Sequence, residues 1–177
     1  MNNFFKLNPE KRIGYKKLSA ADLGLSSTSH QTHIGLFDNM LTFLPNAHIE
    51  KYAILIYNDF CDILSCEYGK INRKNGKIDA PKVQSGNRSK NTVVRKIRSF
   101  AKEKPNLDWF IVWFGTDSNE LVFWLISSDS QDYLFLNAIL SDFKVYDEST
   151  PSFSQIINYL ESKINGVSVN ILKELEI

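Results

Sequence analysis

Two apolar, aromatic segments in the second half of the chain most constrain its fold. Asp108–Phe114 and Leu121–Ser127 are rich in β-branched and aromatic residues, and the polar segment Gly115–Asn119 separates them. Apolar runs of this length, bounded by turn residues, are typical of β-strands. They are the clearest strand signals in the sequence and predict two consecutive strands joined by a turn. Their aromatic residues are expected to pack in the core rather than to stack on nucleobases: Trp109, Trp113, Phe114, Phe123 and Trp124.

The rest of the chain predicts further short strands and two late helices. The candidate strands are Ile13–Leu18, Ile34–Phe37, Leu41–Leu44, Tyr52–Tyr57, Cys61–Tyr68 and Val93–Ile97. Asn75-Gly76 is a strong signal for a hairpin turn, and Pro81–Asn91 is rich in loop-forming residues. Apolar residues at helical spacing indicate helices over Ser130–Phe143 and Pro151–Ile164. These patterns together predict a mainly β (α+β) fold.

The composition is that of an ordinary globular protein. Apolar residues make up 43% of the 177 residues and charged residues 23%, so we expect a single domain over residues 1–177 with a substantial core. Apolar stretches fall far short of the ~20 residues that a membrane-spanning helix needs, and the first residues lack the apolar stretch of a secretory signal. Cys61 and Cys66 are expected to be free thiols, because two cysteines without further metal ligands are typical of a reducing cytoplasm. A cytoplasmic location is therefore predicted.

A polar segment between Lys16 and His33 is the first candidate binding element. Its hydroxyl, imidazole and amide side chains cannot build a core, because they would be buried without enough hydrogen-bonding partners. Ser19 is expected to cap a short helical turn that Gly24 closes, and the two lysines are expected to hold phosphates. The alternative is a polar surface turn without a ligand. The side chains predicted to contact nucleic acid are Lys16, Lys17, Ser19, Ser26, Ser27, Thr28, Ser29, His30, Gln31 and His33.

The second candidate element lies in a strongly basic stretch. Residues 70–104 contain twelve Lys and Arg against two acidic residues, whereas residues 105–177 contain three against eleven. Such asymmetry is typical of proteins with a basic face for nucleic acid, although a merely solvated basic loop would have the same composition. The predicted contacts are Lys82, Gln84, Asn87, Arg88, Ser89, Lys90, Asn91, Arg95, Lys96 and Arg98.

The residue types in this second element suggest different roles. The planar fork of Arg88 matches two acceptors of guanine in the major groove. Arg95 and Arg98, with Lys96 between them, are interpreted as alternating along a strand and contacting phosphates, which position a protein without reading sequence. Alternatively, the two arginines pair with acidic residues from the C-terminal part of the chain.

No pattern in the sequence indicates a catalytic or metal site. His30 and His33 lack further Cys or His residues to complete a tetrahedral zinc site, and Glu67 and Lys70 have the wrong spacing for the common acid-x-lysine arrangement of nucleases. The phosphate-binding glycine loop of nucleotide hydrolases and the nucleophile elbow of hydrolases are both absent from the sequence. We therefore expect no catalytic residue, metal or cofactor, and no enzymatic activity of this chain alone.

The stretch Lys17-Leu18-Ser19-Ala20-Ala21-Asp22-Leu23-Gly24, followed by His30-Gln31, resembles the DNA-recognition domains of certain bacterial restriction endonucleases. The resemblance is to the amino-terminal effector-binding domain of the EcoRII type and to the domains of LlaJI-type, McrB-related restriction subunits. These domains share the DNA-binding pseudobarrel fold with a class of plant transcription-factor domains. The resemblance implies an open, twisted barrel of about seven or eight strands with flanking helices. Two arms of such a barrel grip the major groove: here Lys16, Lys17, Ser19 and the run ending at His30-Gln31, and the stretch Asn87–Asn91.

The resemblance and the charge pattern together predict a function. The chain is expected to be a sequence-specific double-stranded DNA-binding domain of a restriction system that defends bacteria against phage. Cutting or motor activity is expected in another domain or partner subunit, so this chain is expected to be the N-terminal part of a larger restriction protein. Two alternatives remain open: an RNA-binding module, and a stand-alone metal-dependent nuclease.

Overall fold

The computed structural model describes residues 13–36, 49–69, 82–84, 91–116, 121–140, 145–146 and 153–163. The strands in this part of the chain are β1 (Ile13–Lys17), β2 (His33–Gly35), β3 (Ile49–Tyr57), β4 (Phe60–Gly69), β5 (Lys82–Gln84), β6 (Trp109–Gly115), β7 (Leu121–Ser127) and β8 (Val145–Tyr146). The helices are α1 (Val93–Glu103), α2 (Gln131–Leu140) and α3 (153–163).

The strands form one sheet in the order β2-β5-β4-β3-β7-β6-β1-β8. β3 and β7 run parallel, and the other neighbouring pairs run antiparallel. The sheet curls into a half-barrel with the helices against it. The predicted mainly β fold, an open barrel of strands with flanking helices, is confirmed.

The sheet is covered on both faces, which explains the continuous apolar runs of β6 and β7. Every residue of these two strands is buried. On one face, Trp113 and Phe123 pack in a cluster with Ile97 of α1. On the other face, Trp124 packs in a cluster with Ile156 of α3. The prediction that the aromatic residues of these strands fill the core is confirmed.

The segment Val93–Ile97, predicted as a strand, instead forms the first half of α1. Val93, Val94, Ile97 and Ala101 are fully buried at helical spacing on one side of α1. The β-branched residues favour a strand by local propensity, but packing of this apolar stripe against the sheet prevails. The basic residues between them therefore lie on a helix and do not alternate along a strand.

Thr92 begins α1 and supports a stability prediction. It is 1% exposed, and its Oγ1 accepts a hydrogen bond from the backbone N–H of Arg95 at 3.3 Å. Thr92→Ala is expected to lower the free energy of unfolding by about 1 kcal/mol, because this amide loses its partner. Urea denaturation followed by circular dichroism measures the change. Thr92→Ser keeps the acceptor and serves as the control; an equal loss in both variants would contradict the capping role.

Most of the other predicted elements are found with shifted bounds. β1, β3 and β4 correspond to predicted strands, and both late helices are present. Only part of the predicted strand at 34–37 is seen, as β2. The predicted loop at 81–91 is wrong at 82–84, which form β5, because Val83 is buried between β2 and β4. The predicted strand Leu41–Leu44 and the hairpin at Asn75-Gly76 lie outside the described residues.

Candidate nucleic-acid interface

Both candidate elements are connected to one end of the sheet. The end of β1 pairs with the start of β6 (Lys17 with Phe110), and the strand directions that follow across the sheet make the end of β5 and the start of β2 face this same end. We refer to residues 19–33 as the first arm and to residues 84–91 as the second arm. The first arm thus links β1, near one margin of the half-barrel, to β2 at the opposite margin.

The first arm begins with the predicted capped turn, which is confirmed. The Ser19 Oγ accepts a hydrogen bond from the backbone N–H of Asp22 at 3.1 Å. In return, Asp22 Oδ2 accepts from the Ser19 N–H and from the Ser19 hydroxyl, both at 3.0 Å. Gly24 closes the turn at φ 67°, a left-handed conformation that glycine adopts without strain. Ser19 is therefore engaged in shaping the arm.

Asp22 is the centre of a buried polar cluster. It is 2% exposed; Lys16 Nζ lies 2.9 Å from its Oδ2, and Gln31 Nε2 donates to its Oδ1 at 2.9 Å. Burial alone would raise the pKa of Asp22, but the hydrogen bonds from Ser19 and the charge of Lys16 outweigh burial and hold it below its ordinary value. The carboxylate is thus ionised at neutral pH, and both of its oxygens accept hydrogen bonds from within the protein.

Lys16 joins the two margins of the half-barrel. Besides pairing with Asp22, its ammonium donates to the backbone carbonyl of Gly35 in β2 at 3.0 Å. Its side chain is 22% exposed. The predicted phosphate contact of Lys16 therefore competes with two internal partners. We assign this lysine to holding β1 against the first arm and β2.

Arg98 of α1 fastens the first arm at both of its ends. Its Nε donates to the carbonyl of Asp22 at 2.9 Å, and its Nη2 donates to the carbonyls of Gln31 at 2.8 Å and Ala21 at 3.4 Å. These partners lie in the first arm, whereas most acidic residues of the C-terminal part lie outside the described residues. All three partners of the guanidinium are backbone carbonyl oxygens. The phosphate contact of Arg98 stays a prediction.

The middle of the first arm presents polar side chains to solvent. Ser27, Thr28 and His30 are exposed. Ser26 and Ser29 instead shape the chain: Ser26 Oγ accepts from the backbone N–H of Ser29 at 3.2 Å, and Ser29 Oγ accepts from that of Gln31 at 3.3 Å. The predicted contacts of this arm are therefore separated into side chains that hold its shape and side chains that are available to a ligand.

Lys17 follows Lys16 directly but lies on the surface. Its ammonium is 2.9 Å from Asp108 Oδ2, and the two side chains are 58% and 57% exposed. An ion pair this exposed contributes little stability. The ammonium is therefore free to exchange its carboxylate partner for an anionic ligand.

The second arm leaves the sheet beside the first. Gln84, at the end of β5, pairs directly with His33 at the start of β2. Burial lowers the pKa of His33, and the charge of Lys82 lowers it further, so this imidazole is neutral at pH 7 and offers one donor and one acceptor. Asn91 is exposed. The predicted contacts Asn87, Arg88, Ser89 and Lys90 lie outside the described residues.

The basic residues of α1 have different surroundings. Arg95 is exposed. Lys96 Nζ lies 4.9 Å from the ring centroids of both Phe60 and Phe100, a cation–π arrangement that favours an internal position for this charge. Of the basic residues predicted on this helix, Arg95 is thus placed best for a ligand.

The described part of the chain also contains the residues that bear on a metal site, a reactive thiol or a membrane-spanning helix. Within these residues, no group of three or more His, Cys, Asp or Glu side chains is arranged to hold a metal ion. Cys61 and Cys66 are free thiols, as predicted, and burial raises the pKa of Cys61 to about 11. Among the same residues, no helix is long and apolar enough to cross a membrane.

Comparison with known proteins gives one structural similarity. No protein-family model matches the sequence, and no curated protein matches it. Among solved structures, the chain is similar to the N-terminal domain of Helicobacter pylori LlaJI.R1, with a TM-score of 0.49 and 12% identity, over 76% of this chain and 95% of that chain.

The sequence did not reveal the roles of Asp22, Lys16 and Arg98. Only the Ser19-x-x-Asp22 spacing, which resembles a capping box, carried a signal for the first of them. The partners of the two basic residues include backbone carbonyls distant in sequence, for which side-chain patterns offer no signal.

Proposed function

We propose that the chain is a sequence-specific double-stranded DNA-binding domain of a bacterial restriction system. The observation that carries this proposal is the arrangement of the first arm: a buried cluster around Asp22 fixes it, and its polar side chains at 27, 28 and 30 remain exposed. A fixed arm with exposed donors and acceptors suits recognition of base edges, since preorganised groups lose little freedom on binding.

The two arms would divide the recognition of the major groove. In the first arm, Thr28 and His30 offer hydrogen bonds to base edges. In the second arm, Arg88 would bind guanine through two donors, and Asn87 or Asn91 would bind adenine in the same two-point manner. Because the arms are connected to adjacent strands at one end of the sheet, they would read neighbouring base pairs of one short site.

Cations around the arms would bind the phosphates. Lys17 and Arg95 are exposed, and Lys82 lies on β5 opposite Gly35 of β2. Such contacts set the register of the protein on the duplex and supply affinity that depends on salt. Cutting or motor activity would reside in another domain or a partner subunit.

Selection from a randomised duplex DNA pool tests this proposal. We expect enrichment of one short motif, whose affinity falls with salt with a slope of several phosphate contacts, each contributing about 0.9 to that slope. Single-stranded and structured RNA pools are selected in parallel. Absence of an enriched duplex motif would overturn the proposal, enrichment from the RNA pools alone would favour the RNA-binding alternative, and metal-dependent cutting of plasmid by this chain would favour the nuclease alternative.

Two variants separate base reading from phosphate binding. Arg88→Ala is expected to relax specificity at one base position, with a loss of about 1–3 kcal/mol of discrimination. Lys17→Ala is expected to weaken all duplexes about equally, and Lys17→Arg, which keeps the charge, is the matched control. Competition binding against single-base variants of the selected site measures both effects. A uniform loss in Arg88→Ala would contradict its assignment to base reading.

A further inference from the structure

We propose that Arg98 is a positioning residue that fastens the first arm to α1, and that it does not bind phosphate. This inference rests on the proposed function. Its guanidinium connects α1 to the first arm at residues 21–22 and at residue 31. One side chain therefore holds both the beginning and the end of the first arm against the same helix.

The anchor of this connection is rigid. Val93, Val94 and Ile97 of α1 are fully buried against the sheet, so the helix that carries Arg98 cannot move without disturbing the core. The second arm enters this helix through Asn91 and the buried cap Thr92. A displacement of the first arm is consequently resisted by a helix that is packed into the core.

The surroundings of Arg98 favour contacts within the protein over a contact with DNA. The Nε–H donates to one carbonyl and Nη2 to two others. A Cβ at Gly24 would lie 3.1 Å from the Arg98 Cδ and 3.3 Å from its Nε, so the glycine leaves room for the side chain as well as allowing the turn. A phosphate that captured this guanidinium would leave half-buried carbonyls without their donors, which is unfavourable.

The two roles predict different salt dependence. A positioning residue affects the specific complex through geometry, whereas a phosphate contact contributes to specific and non-specific binding alike. For Arg98→Met, which removes both the charge and the donors, we expect a roughly tenfold loss of affinity for the selected site, little change for unrelated duplex, and an unchanged salt slope. Arg95→Met, on the exposed side of the same helix, is the matched control and should lower the slope by about 0.9.

A second measurement tests whether Arg98 positions the first arm. We expect His30→Ala to weaken specific binding less in the Arg98→Met background than in the wild type, because the first arm is already misplaced. The effect of Lys17→Ala should be the same in both backgrounds. Additive effects for His30→Ala, or a lower salt slope in Arg98→Met, would overturn the inference while leaving the proposed function standing.

A third measurement needs no DNA. Hydrogen exchange of the backbone amides of the first arm should be faster in Arg98→Lys than in the wild type, with α1 unchanged. Arg98→Met, which removes all the donors and keeps a long apolar side chain, should give the same pattern and serves if Arg98→Lys folds poorly. Unchanged exchange in the first arm would refute the inference about Arg98, whatever the outcome of the DNA selection. A selection that enriches no duplex motif would instead overturn the proposed function.

Discussion

Gly14→Ala is expected to lower the free energy of unfolding by about 3 kcal/mol or more. Gly14 lies in β1 directly opposite Trp113 of β6. A Cβ at this position would lie 2.2 Å from Cε2 and 2.3 Å from Cζ2 of the indole. Trp113 is 0% exposed, so the ring cannot move into solvent, and overpacking of such a core typically costs about 1–3 kcal/mol and sometimes more.

Two further variants identify the origin of this effect. Gly35→Ala in β2 is the matched control, because its Cβ would meet only Lys16 Nζ at 3.9 Å; we expect a change below about 1 kcal/mol. Three indole atoms would lie 2.2–2.7 Å from the added Cβ, so Gly14→Ala should cost less in a Trp113→Phe background, whose smaller ring crowds the methyl group less. Urea denaturation of the variants measures each change. Equal stability of Gly14→Ala and Gly35→Ala would contradict the close packing described for Trp113.

The close approach at Gly14 illustrates which parts of the fold the sequence could predict. β6 and β7 were predictable because every residue is apolar or small, a pattern that two-sided burial explains. The capped turn at Ser19 was predictable as well, since its contacts lie within a few residues. The packing of Gly14 under Trp113 was not predictable, because it depends on the register between strands about 100 residues apart.

The candidate site shows the same limit. The exposed side chains of the first arm were predictable as polar groups that no core would accept. α1 was missed because three of its apolar residues are β-branched, and β-branched residues favour a strand by local propensity. Once α1 is a helix, Arg98 reaches the carbonyls of Asp22 and Gln31. The predicted direct contacts with DNA, including Arg88, stay predictions.

Asp22→Ala is expected to lower the free energy of unfolding by about 2–4 kcal/mol, since it removes the buried partner of a half-buried ammonium. Lys16 and Gln31 would each lose a hydrogen bond at 2.9 Å. The matched control is Asp108→Ala, which removes an ion pair of the same 2.9 Å length from the neighbouring Lys17, with both partners more than half exposed. We expect that change to stay below about 1 kcal/mol. Similar losses in both variants would contradict the central role of Asp22.

The dependence of this difference on pH provides an independent check. Because the pKa of Asp22 is lowered in the folded protein, the unfolded chain binds a proton more readily than the folded one, and stability is lost as pH falls. The contribution is complete above the unfolded pKa, about 3.9, and disappears as pH falls through the lower folded value. The stability gap between the wild type and Asp22→Ala should therefore be constant from about pH 5 to 8 and shrink below about pH 4. A gap that stayed constant into acid would show that the cavity, and not the lost charge, destabilises the variant.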